Sequence, residues 1–147
     1  MVNSQGKYYL VCNYDYFNEI SNYKIEQITN IQIVDNPIKP IKQLEEAKSG
    51  FIISNYINEN IYMFSGKSIN AQIKLEKEEY VTHIYEWFGN NAKIFKSNND
   101  VIANIYTNEE SLIYWCIQYG DIGELISPIE TREKIINELQ KIYDKYN

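Results

Sequence analysis

The stretch that most constrains this chain begins at Ile69. Ile69, Ala71, Ile73 and Leu75 alternate with Asn70, Gln72 and Lys74. That period of two puts apolar side chains on one face of a β-strand and polar ones on the other. The period then changes. Val81, Ile84, Tyr85 and Phe88 fall at i, i+3, i+4 and i+7, the apolar stripe of an amphipathic helix over 78–88, and Gly89 follows as a natural stop. A strand joined directly to a helix of this kind has to fold back on itself to bury both apolar faces.

The alternation resumes over 92–96 and 101–106, two strands around the turn signal Ser97-Asn98-Asn99-Asp100. Thr107-Asn108-Glu109-Glu110 is a capping box for a helix over 108–119, closed by Gly120. A further strand is expected over 122–126. Ser127-Pro128-Ile129-Glu130 is a second capping box, with proline at the first helical position. The last helix then runs to about 146, with Ile135, Ile136, Leu139 and Ile142 on one face. The order over 69–126 is βαββαβ with an added carboxy-terminal helix, the ferredoxin-like split βαβ order.

The amino-terminal part has a different pattern. Lys7-Tyr8-Tyr9-Leu10-Val11-Cys12-Asn13 is a strand by its aromatic and β-branched content. Residues 13–18 suit a hairpin loop. Strands are expected over 20–25 and over 28–34, the latter with Ile31 and Ile33 flanking Gln32. Pro37 and Pro40 then break regular structure. Residues 37–68 are expected as a linker with a short helix over 54–60. Its apolar run Ile61-Tyr62-Met63-Phe64 should dock onto a neighbouring domain. The reading is an α+β chain: a partial small β-barrel over 1–36, the linker, and a ferredoxin-like domain over 69–147. With 147 residues, 44% of them apolar and 23% charged, the chain can bury a core without disulfide or metal staples.

Composition narrows the chemistry. Twenty acidic residues against fourteen basic ones give a formal charge of -6, with a single arginine, Arg132. That balance disfavours general binding to duplex DNA, which needs dense Lys/Arg patches. The loose basic run of Lys39, Lys42 and Lys48 is expected as a solvated face. One histidine, His83, and two cysteines, Cys12 and Cys116, cannot assemble a zinc site of two or three histidines or of four cysteines. His83 lies within the helical stretch at 78–88, with no nucleophile elbow near any serine or cysteine. Neither GxGxxG nor GxxxxGK[ST] occurs. Tyr14 to Glu19 is a polar-aromatic turn without the central glycine of an EF-hand loop. No enzyme, metal or cofactor is expected. The cysteines read as free thiols, and no apolar run reaches membrane-helix length. With no signal peptide at the amino end, a cytoplasmic protein is expected.

Gly6-Lys7-Tyr8-Tyr9-Leu10-Val11 resembles the motif that names the WYL-domain family, with Tyr8 in the tryptophan place. Ile20 to Ile28 is similar to the family's second block, and Lys24 and Gln27 stand where that block carries arginines. Leu112 to Trp115, Gln118-Tyr119-Gly120 and Glu124-Leu125-Ile126-Ser127-Pro128 resemble the extension that follows such domains. The resemblance implies part of a bacterial transcription regulator. It joins an Sm-like or SH3-like small barrel that senses a ligand to an extension that helps form a homodimer. The chain would begin inside the WYL domain, lacking the barrel's first strands and the helix-turn-helix that contacts duplex DNA. The effector implied is a nucleotide or single-stranded nucleic acid.

The candidate ligand-binding group is Tyr9, Asn13, Tyr23, Lys24 and Gln27, with Tyr8, Tyr14 and Tyr16 as further rings able to stack bases. Fourteen tyrosines in the chain make a cluster of them unremarkable. Under this reading Lys24→Ala abolishes effector binding. The competing reading is a dimerisation or protein-docking module that ignores nucleic acid. Trp87 and Trp115 are expected in a core or an interface.

Overall fold

The computed structural model describes residues 1–14, 16, 20–44, 47–48, 50–97 and 99–147. The polar-aromatic turn expected over 14–19 and the turn over 97–100 include Asp15, Phe17, Asn18, Glu19 and Asn98, which lie outside the described residues. The chain is α+β: the described residues form two antiparallel sheets of three and four strands and four α-helices. It divides into two compact units, Met1–Ile57 and Asn58–Asn147.

In the first unit, β1 (Val2–Ser4), β2 (Lys7–Asn13) and β3 (Ile20–Lys24) form an antiparallel sheet in that order. Tyr9 faces Val2 on one side and Lys24 on the other. Strand alternation therefore puts Tyr9, Val11, Asn13, Ile20 and Lys24 on one face, and Tyr8, Leu10 and Tyr23 on the other. Ile20 is buried with Leu44 and Ala47, and Val11, Phe51 and Tyr56 pack around them. Asn22 Nδ2 donates to the Tyr56 hydroxyl at 2.8 Å.

Strands β2 and β3 match the expected positions, but the strand expected over 28–34 is absent. Asn30 adopts φ 56, a left-handed conformation that interrupts an extended run. Ile31 and Ile33 are exposed, Ile33 to 99%, and pair with no sheet. The third strand is the three-residue β1 at the amino end, too short to announce itself by periodicity.

Helix α1 (Ile53–Glu59) spans the division between the units. The second unit continues through β4 (Ser68–Leu75), α2 (Val81–Phe88), β5 (Ala92–Ser97), β6 (Asp100–Asn108), α3 (Glu109–Gln118), β7 (Gly123–Ser127) and α4 (Ile129–Tyr146). Its antiparallel sheet has the order β5-β6-β4-β7. The apolar sides of β4 and β6 (Ala71, Ile73, Leu75, Val101, Ala103, Ile105) share one core with Ile84 and Phe88 of α2 and with Leu112, Trp115 and Cys116 of α3. Ile61, from the expected apolar run, belongs to that core, and Trp87 packs on its margin.

Both helices begin one residue later than the capping boxes imply. Asn108, not Thr107, caps α3: its Oδ1 accepts from Ser111 N at 2.9 Å. Thr107 Oγ1 instead donates to the Glu59 carbonyl at 2.7 Å. Helix α4 starts after Pro128 with no side-chain cap, so Ser127 ends a strand and caps nothing. The backbone carbonyl of Pro128 still accepts from Arg132 N at 3.1 Å. In both places the strand runs further than its apolar residues suggest and takes up the first residue of the motif.

Candidate ligand-binding face

The helices α2 and α3 cover one face of the four-stranded sheet. Alternation sends the remaining side chains to the opposite face, and the registers arrange them in rows. Asn70 stands opposite Tyr106. Ser127, Gln72, Asn104 and Lys93 line up across all four strands. Glu124, Lys74, Ile102 and Phe95 form the next row. Two residues of strand separate successive rows, about 7 Å.

The first two rows line an open concavity of about 520 Å³. Its polar lining is mostly amide and hydroxyl: Asn70, Gln72, Asn91, Asn104, Tyr106 and Ser127, with Lys93 as the one charged lining residue among the described residues. The outer row is neutralised. Lys74 Nζ lies 2.9 Å from Asp100 Oδ1, and that hydrogen bond pushes the Lys74 ammonium above its ordinary value. Arg132 Nη2 holds Glu124 at 2.5 Å, and Arg132 Nη1 donates to the Leu125 carbonyl at 3.2 Å.

Asn104 is the unusual member. Its Oδ1 is enclosed and has no hydrogen-bond partner among the described residues. Leaving a buried acceptor unmet costs roughly 1–3 kcal/mol. Rings flank it: Tyr106 is 43% exposed and Phe95 51%. Among the described residues the surface offers two ring faces, amide and hydroxyl groups and one ammonium.

The structure does not gather the sequence-derived group into one site. Tyr9 is buried, Lys24 half-buried beside it and Asn13 further along the same face, where its Oδ1 accepts from Lys39 Nζ at 3.3 Å. Tyr23 is on the reverse face with exposed Tyr8 and Leu10. Gln27 is exposed in the short turn Ile25–Gln27 that follows β3. The outward residues of β5 and β6, which sequence reasoning passed over, carry the concavity. Their signal was present in the alternation of Ile102, Asn104 and Tyr106 with Val101, Ala103 and Ile105.

Other reactive groups are held in packed surroundings. His83 sits edge-on to Tyr119 at 4.6 Å, with Nδ1 3.6 Å from Glu86 Oε2 and an enclosed Nε2 that has no hydrogen-bond partner among the described residues. Burial pushes the Cys116 thiol up to about 12, and also raises Cys12. Burial, with Tyr119 and Cys116 nearby, pushes the Tyr62 phenol up to about 12, and its hydroxyl donates to Gln118 Oε1 at 2.6 Å. Among the described residues no group of three His, Cys, Asp or Glu could hold a metal ion, and no helix is long and apolar enough to cross a membrane. No protein-family model and no curated protein matches the chain.

Proposed function

We propose that the chain is a cytoplasmic effector-sensing module of a bacterial transcription regulator, a binding protein and not an enzyme, whose effector carries a nucleobase. The observation that carries this reading is the amide- and hydroxyl-lined concavity with the half-exposed rings of Tyr106 and Phe95 on the same face of the sheet. Nucleobases are planar, present N–H donors at their edges and stack on aromatic rings. The sheet order β5-β6-β4-β7 supports the ferredoxin-like reading of the second unit, and with it the resemblance to a WYL extension. The three-stranded sheet is compatible with part of an Sm-like barrel. Contact with duplex DNA belongs to a separate helix-turn-helix segment.

In this reading the effector engages the second unit's sheet, and the Tyr9–Lys24 pair is part of the first unit's packing. Calorimetric titration with adenosine, cytidine, guanosine and uridine monophosphates and with short single strands tests it. Asn104→Ala is expected to abolish the heat of binding and Lys24→Ala to leave it unchanged. The opposite pattern returns the site to the first unit. Absence of binding to every one of these ligands contradicts the reading.

A second reading, homodimerisation, is favoured by α4. Ile129, Ile136, Leu139, Tyr143 and Tyr146 are all exposed, and their successive spacings of seven, three, four and three residues are those of a helix-pairing seam. A two-fold pairing of this helix with its own copy covers the seam in both chains. Sedimentation at micromolar concentration should give a dimer that Leu139→Lys converts to a monomer. A wild-type monomer contradicts it.

A further inference from the structure

The helix side of the second unit carries a continuous run of aromatic rings. Between ring centroids, Phe64 lies 5.1 Å from Tyr114, Tyr114 6.2 Å from Tyr62, and Tyr62 5.3 Å from Trp87. Trp87 lies 5.4 Å from Tyr119, and Tyr119 lies 4.6 Å from His83. Tyr114 is 57% exposed, and the others are half-buried. Gln118 ties two of the rings together: it accepts from the Tyr62 hydroxyl at 2.6 Å and donates to the Tyr119 hydroxyl at 3.2 Å. Rings already held by one another lose little further freedom when a partner covers them.

The charge around the run has one sign. The segments that bear it, residues 59–66, α2 and α3, contain Glu59, Glu86, Glu109 and Glu110 but no lysine or arginine. Glu59 accepts from Ser68, and Glu109 is engaged by Thr131 and Lys134. Glu86 and Glu110 are exposed, one at each end of the run. Glu86 Oε2 lies 3.6 Å from His83, and Glu110 stands one helical turn before Tyr114. A ring surface bordered by carboxylates repels phosphate and attracts cations. A guanidinium suits it best, because it stacks flat on a ring while its fork reaches a carboxylate. The chain's single arginine, Arg132, is held by Glu124 and the Leu125 carbonyl, so a second copy does not supply that group.

We propose that this ring face docks an arginine-bearing segment of another protein. Guanidinium groups stack on Tyr114 and Trp87 and pair with Glu110 and Glu86. Tyrosine, tryptophan and arginine are the residues that dominate the energy of such interfaces. The face belongs to the helix layer and not to the uncovered sheet, so the proposal stands apart from the nucleobase reading.

The test is fluorescence anisotropy on the full chain with a labelled eight-residue peptide of alternating arginine and glycine. Lysine–glycine and glutamate–glycine peptides of the same length are the comparisons. The arginine peptide is expected to bind saturably, the lysine peptide roughly threefold more weakly, and the glutamate peptide not at all. Tyr114→Ala should weaken binding about threefold, and Tyr114→Phe should restore it. Glu86→Gln and Glu110→Gln together should weaken it roughly tenfold. Glu138→Gln with Asp144→Asn removes the same charge from α4 and should change nothing. Thermal melts separate lost binding from lost fold. If Tyr114→Ala lowers the melt, the exposed Glu86 and Glu110 pair still decides the outcome. Equal weakening by the two charge pairs overturns the proposal in favour of general attraction to an acidic chain. Equal affinity for the lysine peptide, or no saturable binding of the arginine peptide, also overturns it.

Discussion

Asn104 of β6 and Lys93 of β5 are cross-strand partners on the uncovered face of the sheet, so an enclosed acceptor and an exposed ammonium stand side by side. The pairing places a donor-seeking group next to an anion-seeking one. It also implies a conflict between stability and function. Removing an unmet buried acceptor relieves the roughly 1–3 kcal/mol that leaving it unmet costs. Asn104→Ala is therefore expected to raise the unfolding free energy by about 1 kcal/mol while removing ligand binding. Chemical denaturation read beside a binding titration checks both halves.

Gly123 of β7 stands opposite Leu75 of β4. A Cβ there would meet the Lys74 carbonyl oxygen at 2.7 Å and Ile73 Cγ2 at 2.8 Å. Backbone cannot give way as a flexible side chain can, so the strands would have to separate. Gly123→Ala is expected to cost about 1–3 kcal/mol, measured as a lower denaturation midpoint. An unchanged midpoint would show that β7 has room to move.

Asn108 is fully buried and supplies the side-chain cap of α3. Asn108→Ala should destabilise the second unit by ~1 kcal/mol, and Asn108→Ser should recover part of the loss. Thermal unfolding of both variants checks this. Thr107→Ser, by contrast, keeps the hydroxyl that reaches the Glu59 carbonyl and should be milder than Thr107→Val.

The start of α3 also sets a pH dependence. The hydrogen bond from Lys134 holds the Glu109 carboxyl below its ordinary value of 4.5, and Thr131 adds to the effect. A carboxylate whose folded value is depressed contributes stability above its unfolded value and loses it as pH falls through the folded one. The gap in melting temperature between wild type and Glu109→Gln should thus be constant from pH 5 to 7 and narrow below about 4.5. A gap that persists at pH 2 would contradict the assignment.

Much of the second unit was legible from pattern alone because each strand buries one face. Ile73 and Ala103 are fully buried where the alternation put them, and Ile84 and Phe88 face the core as the helical spacing requires. The cap positions were off by one because apolar spacing does not say where a strand ends. The strand expected over 28–34 failed for a different reason. Ile31 and Ile33 satisfy the periodicity, but a strand exists only through its partner, and a local pattern does not specify one. The candidate group is divided between the two faces of the first sheet on similar grounds. Tyr9, Tyr23 and Lys24 are neighbours in sequence blocks, yet register puts Tyr23 on the reverse face. The polar rows of the sheet come from four strands far apart in the chain, and only their pairing brings Ser127, Gln72, Asn104 and Lys93 into line.

The central claim, that the uncovered sheet of the second unit holds the ligand, is tested most directly by amide chemical shifts of isotope-labelled protein titrated with a short single strand. The account predicts saturable shifts at Asn70, Gln72, Lys93, Phe95, Asn104 and Tyr106, with Tyr9, Tyr23 and Lys24 unmoved. Shifts confined to β2 and β3, or none at saturating ligand, would contradict it.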